Sequence, residues 1–207
     1  MLWIRSHIAA PQDIWTQAVF RLHFAFDVLT VPHWRYSLPV QPQDELWIIR
    51  SGRCEIQQGK RSATAQSGDL VVLRAGEPRL TIEPDGQPLE LLGFGFSATL
   101  LNLDIVQIWQ PPLCFHDSST HIAPLMQELA RENLQESPAY GLQMQALAQQ
   151  IFARALRVHP PGEACWQTAL ARLRAAQDGA IGEALRYIEA HFQQPLDLEK
   201  LSRAVHL

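Results

Sequence analysis

The residues best placed to do chemistry in this sequence are one acid, one base and the aromatic side chains beside them. Glu45, Trp47 and Ile49 alternate along one segment, as do Arg79 and Thr81 along another. In extended chain alternate side chains share a face, so each set points the same way. A carboxylate, a guanidinium and an indole on inward faces suit a small polar molecule with an apolar side. His33-Trp34-Arg35-Tyr36 lies just upstream. It adds aromatic area with polar handles at Trp34 and Tyr36, and in Arg35 a group able to pair bidentately with a carboxylate. The same residues support a plainer arrangement, with Glu45 and Arg79 as an internal ion pair and Trp34 and Trp47 as ordinary core.

Nucleophilic and metal-assisted catalysis find little to work with. His7, His23, His33, His116, His121, His159, His191 and His206 are scattered singly. Cys54, Cys114 and Cys165 are odd in number and widely spaced, so neither a disulfide framework nor a zinc knuckle is legible. No Gly-x-Ser-x-Gly, glycine-rich phosphate loop or His-Glu-x-x-His occurs. The expectation is a protein that is not an enzyme and needs no cofactor or metal. Metal-free chemistry with Glu45 as a base is the alternative.

With 207 residues, 47% of them hydrophobic, the chain has material for one well-buried domain and a small appendage. A net charge of -4 gives no general attraction to phosphate backbones. No signal peptide and no membrane-spanning run is legible, and the cysteine usage fits a reducing cytoplasm. From about Trp15 to Ser97 short apolar runs at Leu46 to Arg50, Leu70 to Leu73, Leu80 to Ile82 and Leu89 to Phe96 are separated by turns at Ser51-Gly52, Gly59, Gly68, Gly76 and Gly86. That pattern predicts an antiparallel sandwich or barrel. From Ile122 the period becomes helical through Leu125, Met126 and Leu129, and again through Met144, Leu147, Ala148, Ile151 and Ala155 until Pro160-Pro161-Gly162. A last amphipathic segment, Ile181 to Phe192, precedes Pro195 and an N-cap at Asp197 flanked by Leu196 and Leu201.

The strings Ala184-Leu185-Arg186-Tyr187-Ile188-Glu189-Ala190-His191-Phe192 and Pro195-Leu196-Asp197-Leu198-Glu199-Lys200-Leu201-Ser202 resemble the opening of the DNA-binding domain of AraC/XylS-family transcription regulators. Ser202 departs from the alanine usual there. A plain helical hairpin is the competing reading of these residues. The resemblance implies a helix-turn-helix entered but not completed at Leu207, since the recognition helix that would reach base edges is missing. The segment around Glu45 to Glu83 resembles the cupin barrel of such regulators. Enzymatic cupins hold a metal with two histidines and a glutamate, a glycine following seven residues later, and a second motif ending in histidine. Glu45 and Gly52 keep the first spacing, but Leu38 to Gln41 contain no histidine and Arg79 stands at the last ligand position. A guanidinium has no lone pair to give a metal.

The fold expected is therefore mainly β with α, a cupin-like antiparallel β-barrel (jelly roll) followed by helices and a truncated helix-turn-helix. Its expected parts are residues 1–159 for effector binding and dimerisation, a linker over 160–179, and a partial DNA-binding domain over 180–207. Trp34, Arg35, Tyr36, Glu45, Trp47, Ile49, Arg79 and Thr81 are the candidate effector contacts, and residues 1–15 a candidate arm over them. Met144, Leu147, Ile151, Phe152 and Ala155 make an apolar face broad enough for burial on two sides, either in a homodimer, which the resemblance favours, or against the barrel. The partners implied are a small-molecule effector, a second copy and, for a full-length protein, double-stranded DNA, with no membrane. A stand-alone small-molecule-binding module and a metal-free cupin enzyme are the rivals.

Overall fold

The computed structural model describes residues 14–100, 102–117, 121–135 and 137–163, together with isolated positions between 167 and 191. The expected arm up to residue 13, most of the linker and the helix-turn-helix segment lie outside the described residues, apart from Tyr187, Ile188 and His191, which are helical. The chain divides into two compact units, 1–161 and 162–207.

Two antiparallel sheets build the first unit. One has the order β1 (Ala18–Leu29), β8 (Glu90–Leu100), β3 (Asp44–Ser51), β6 (Asp69–Leu73), β10 (Cys114–His116), with β9 (Leu103–Asp104) on the far end of β8. The other has the order β2 (Arg35–Leu38), β7 (Arg79–Ile82), β4 (Arg53–Gln58), β5 (Arg61–Gln66). Among the described residues no ladder joins one sheet to the other, so the expected cupin-like jelly roll is built as two facing sheets without closure. The turns fall on the glycines expected to make them. Gly52 sits at φ +83°, and a Cβ there would lie 2.8 Å from the Pro88 carbonyl oxygen, which makes glycine obligatory on both counts.

Strand register sorts the side chains into layers. Phe26, Gly93, Trp47, Val71 and Cys114 are successive partners across the first sheet, and Phe24, Gly95, Glu45 and Leu73 form the next row. Glycine at 93 and 95 gives up its own side chain to neighbouring rings. A Cβ on Gly93 would lie 2.5 Å from Phe26 and 2.6 Å from Trp47, and one on Gly95 would lie 2.5 Å from Phe24. Trp47 and Ile49 then pack with Cys54, Ile56 and Ala65 of the second sheet and with Val71, Leu73, Leu89 and Leu91 to form a dry core.

The alternate residues, Phe94 and Phe96, face the other side of the first sheet. Phe20 stacks on Phe96 at 5.4 Å, and Phe152 meets Phe20, Phe96 and Trp109. Phe152 belongs to α3 (Tyr140–Val158), which packs with α2 (Ile122–Gln135) and against β1, while Trp109 ends the short α1 (Ile105–Trp109). Asp104 caps α1 by accepting from the Val106 and Gln107 amides.

Of the two arrangements expected for the apolar face of α3, a homodimer surface or packing against the barrel, the burial within the single chain matches the second. Met144, Leu147, Ile151, Phe152 and Ala155 are all buried within the single chain. Their broad apolar arc is consumed by α2 on one side and the sheet on the other, so none is left to meet a partner.

Candidate functional site

The site lies at one end of the sandwich, where the inner rows turn from apolar to polar. On the second sheet, Leu38, Arg79, Gln58 and Arg61 are successive register partners, and next to them run Tyr36, Thr81, Ile56 and Ala63. Glu45 faces this polar row from the first sheet. One oxygen of its carboxylate accepts from Arg79 Nη1 at 2.9 Å and from Trp47 Nε1 at 2.8 Å, and the other accepts from Gln41 Nε2 at 2.6 Å. The side chains of Arg79 and Glu45 are only 5% and 8% exposed. Charges this far from water persist only when paired and hydrogen-bonded, and here both conditions hold.

Two aromatic faces hold the guanidinium. Arg79 Cζ lies 5.0 Å from the Tyr36 ring centroid and 4.9 Å from that of Trp47, inside the range of cation–π attraction. Trp34 stacks on Tyr36 with centroids 5.8 Å apart and planes 5° from parallel. The start of β2 that carries these rings is tied down by Glu83, which accepts from the His33 and Asp85 amides at 2.7 and 2.6 Å and donates its own amide to the Trp34 carbonyl. Desolvation would raise the Glu83 carboxyl, but the backbone amides of His33, Gln87, Asp85 and Gly86 hold it below the usual carboxylate range.

Three buried polar atoms here have no partner: Gln41 Oε1, Arg79 Nε and Thr81 Oγ1. Native interiors rarely leave such atoms unsatisfied, because each forfeits its hydration without return. Around Gln58 the polar layer continues, and there Arg61 Nη1 and Arg74 Nε are also buried without a partner. Gln58 accepts from Arg61 Nη2 and the Arg74 amide and donates to the Arg74 carbonyl. Asp44 accepts from the Ala75 amide at 2.8 Å, and burial pushes its carboxyl up to about 6 against that hydrogen bond.

The donor set does not fit the metal of enzymatic cupins. Among the described residues no group of three or more His, Cys, Asp or Glu side chains is placed to hold an ion. The carboxylate of Glu45 is committed to three donors, one of them cationic. Burial pushes the thiols of Cys54 and Cys114 up to about 12, which removes them as nucleophiles near neutral pH.

Of the eight residues expected at the site, the structure gathers Trp34, Tyr36, Glu45, Trp47, Arg79 and Thr81. Ile49 lies on the same inner face, deeper in the dry core. Arg35 is placed elsewhere. It pairs with Ile82, whose other register partner is Glu55, on the outer face of the second sheet. There a shallow concavity of about 420 Å³ is lined by Glu55, Gln57, Ser62, Thr64, Leu80 and Ile82. The expected contact from Arg35 fails because strand alternation splits the string Trp34-Arg35-Tyr36 between two faces. Gln41 and Gln58, both fully buried, were not expected, since a glutamine in sequence carries no sign of burial. The glycines alternating with phenylalanines at 93 to 96 were the available signal that rings fill the inner face.

No protein-family model matches the chain, and no curated protein sequence matches it. Among solved structures it is similar to the cupin domain of an XRE-family transcriptional regulator from Enterobacter cloacae, at 13% identity over 38% of this chain and 94% of that one, TM-score 0.32. It is also similar to the CENP-C cupin domain of Drosophila melanogaster, at 8% identity over 34% and 59% of the two chains, TM-score 0.32. The Cnp3 cupin domain of Schizosaccharomyces pombe matches at 12% identity over 41% and 65%, TM-score 0.32. No helix among the described residues is long and apolar enough to cross a membrane.

Proposed function

We propose that this chain is the effector-sensing part of an AraC-type transcription regulator, a metal-free cupin-like domain that binds a small molecule and is not an enzyme. The observation that carries the reading is the buried Glu45–Arg79 pair, clasped by Tyr36 and Trp47 and bordered by three polar atoms without partners. Such a group fixes the orientation of a ligand, while the aromatic faces supply area. It is poorly suited to catalysis, because Glu45 is already occupied and no nucleophile stands beside it. The resemblance of residues 184–202 to an AraC/XylS DNA-binding domain supplies the regulatory half of the reading. A cytoplasmic setting and double-stranded DNA as partner follow from it. Homodimerisation belongs to the same reading, but through outward residues such as Leu134 or Leu142, which are exposed on α2 and α3, rather than through the buried face.

A second reading is favoured by how completely the pair is closed off. Glu45 and Arg79 would then only hold the two sheets together, and regulation would run through association alone. Thermal unfolding against sugars, aromatic acids, amides, amines and fatty acids separates the two. Ligand at one hundred times its dissociation constant stabilises by roughly 2.7 kcal/mol, or a few degrees in midpoint. A shift that disappears in Trp47→Phe or Thr81→Val supports the sensing role. No shift with any compound rejects it in favour of the structural pair.

A further inference from the structure

The charge balance of this end of the sandwich narrows what it can bind, on the reading that it is an effector site. Glu45 and Arg79 neutralise each other at 2.9 Å, and both are shut away from water. A carboxylate brought beside Arg79 would lie against Glu45, and an ammonium brought beside Glu45 would lie against Arg79. Either would leave one net charge buried without a counter-charge, which strongly disfavours binding. Beside the pair what remains is an acceptor at Gln41 Oε1, a donor at Arg79 Nε and a hydroxyl at Thr81 able to do both, while the other unpartnered donors, Arg61 Nη1 and Arg74 Nε, lie around Gln58, with Arg61 already paired to Glu77. The side chains of Gln41, Arg79 and Thr81 are more than nine-tenths buried. The rings of Tyr36 and Trp47 lie within 5.0 Å of the guanidinium carbon, and the atom of Arg79 left for a ligand is Nε. Tyr36 is 40% exposed, which makes its ring the partition between the guanidinium and solvent on that side.

We infer that the site takes an uncharged ligand of the amide or alcohol class, with at least one donor and one acceptor on an apolar body, and discriminates against carboxylates and amines. The donor goes to Gln41 Oε1 and the acceptor to Arg79 Nε, with Thr81 Oγ1 taking whichever is left. Such a ligand satisfies the orphaned atoms without disturbing the ion pair.

The test uses the full chain at neutral pH and three probes of one shape and different charge: benzamide, benzoate and benzylamine. Binding is followed at the Trp47 indole N–H by NMR, assigned through Trp47→Phe, up to tens of millimolar. The expected result is a dissociation constant for benzamide at least tenfold below those of the other two. Thr81→Val should weaken benzamide about five- to tenfold while leaving the midpoint of the ligand-free protein unchanged or raised, because it removes an unsatisfied hydroxyl at nearly constant volume. Glu45→Gln, where it folds, should turn the preference toward benzoate. Benzoate or benzylamine binding at Trp47 as tightly as benzamide overturns this inference and leaves the effector reading standing. Silence of the Trp47 signal with all three probes overturns this inference as well, and the thermal panel then decides the effector reading by itself.

Discussion

The side-chain amide of Gln145 is bound to the backbone of β1 at Leu22, accepting from the Leu22 N–H at 2.9 Å while its own N–H₂ donates to the neighbouring Phe20 carbonyl at 2.6 Å. One carboxamide on α3 thus satisfies a donor and an acceptor on an edge strand, as the backbone of an adjacent strand would. Open sheet edges invite pairing with other chains, and this one is occupied at Phe20 and Leu22 by a side chain.

Replacing Gln145 with leucine should therefore do two things. Stability should fall by roughly 1–2 kcal/mol, the cost of leaving a part-buried backbone pair unmade, seen as a lower midpoint in urea with the slope unchanged. Amide exchange at Leu22 should accelerate, with Val71 in the central ladder unaffected in relative order. Unchanged exchange at Leu22 would mean that Gln145 does not guard the edge.

The glycines make a paired prediction with opposite signs. Gly93→Ala places a methyl into the rings of Phe26 and Trp47, and overpacking of this kind costs about 1–3 kcal/mol. Gly141, near the start of α3, has nothing within 4 Å of an added Cβ, so Gly141→Ala should stabilise by about 0.5–1 kcal/mol through helix propensity. Thermal midpoints of the two variants check the signs directly.

Asp44 predicts a pH dependence. Its carboxyl is raised by burial from 3.8 to about 6 in the folded chain, so the folded state binds this proton more tightly than the unfolded state does. Its contribution is fully present below about pH 4 and is lost as pH rises through about 6. Asp44→Asn keeps an oxygen for the Ala75 amide and removes the buried charge. The variant should match the parent near pH 4 and exceed it at pH 8 by roughly 1–3 kcal/mol. Parallel curves of stability against pH for the two proteins would show that Asp44 does not titrate this way.

Much of the architecture was legible because backbone constraints are written one residue at a time. Gly52, Gly59, Gly68, Gly76 and Gly86 all take positive φ, and the runs between them became β3, β6, β7 and β8. The helical period gave α2 and α3 for the same reason. Short elements were not legible: α1 spans five residues and β10 three, too few to show a period. The site was legible in its alternation, which puts Glu45 with Trp47 and Arg79 with Thr81, and misread only where a contiguous string was taken as one surface at Arg35. The broad apolar face of α3 was left open between a homodimer and the barrel because sequence records how much surface is apolar, not which neighbour covers it.

The Gln145 clamp also bears on the order in which the molecule can be made. β1 opens the first sheet, yet its ladder partner is β8, with Ala18 opposite Leu100, and its cap sits on α3. On a ribosome, β1 emerges with neither available, and it stays without them until the chain has been synthesised into α3. Contacts this remote in sequence are the slow ones to form. Of the described strands, the first to be translated thus waits longest in sequence for its partner and its cap, and its phenylalanines at 20, 24 and 26 are open to other nascent chains in the meantime.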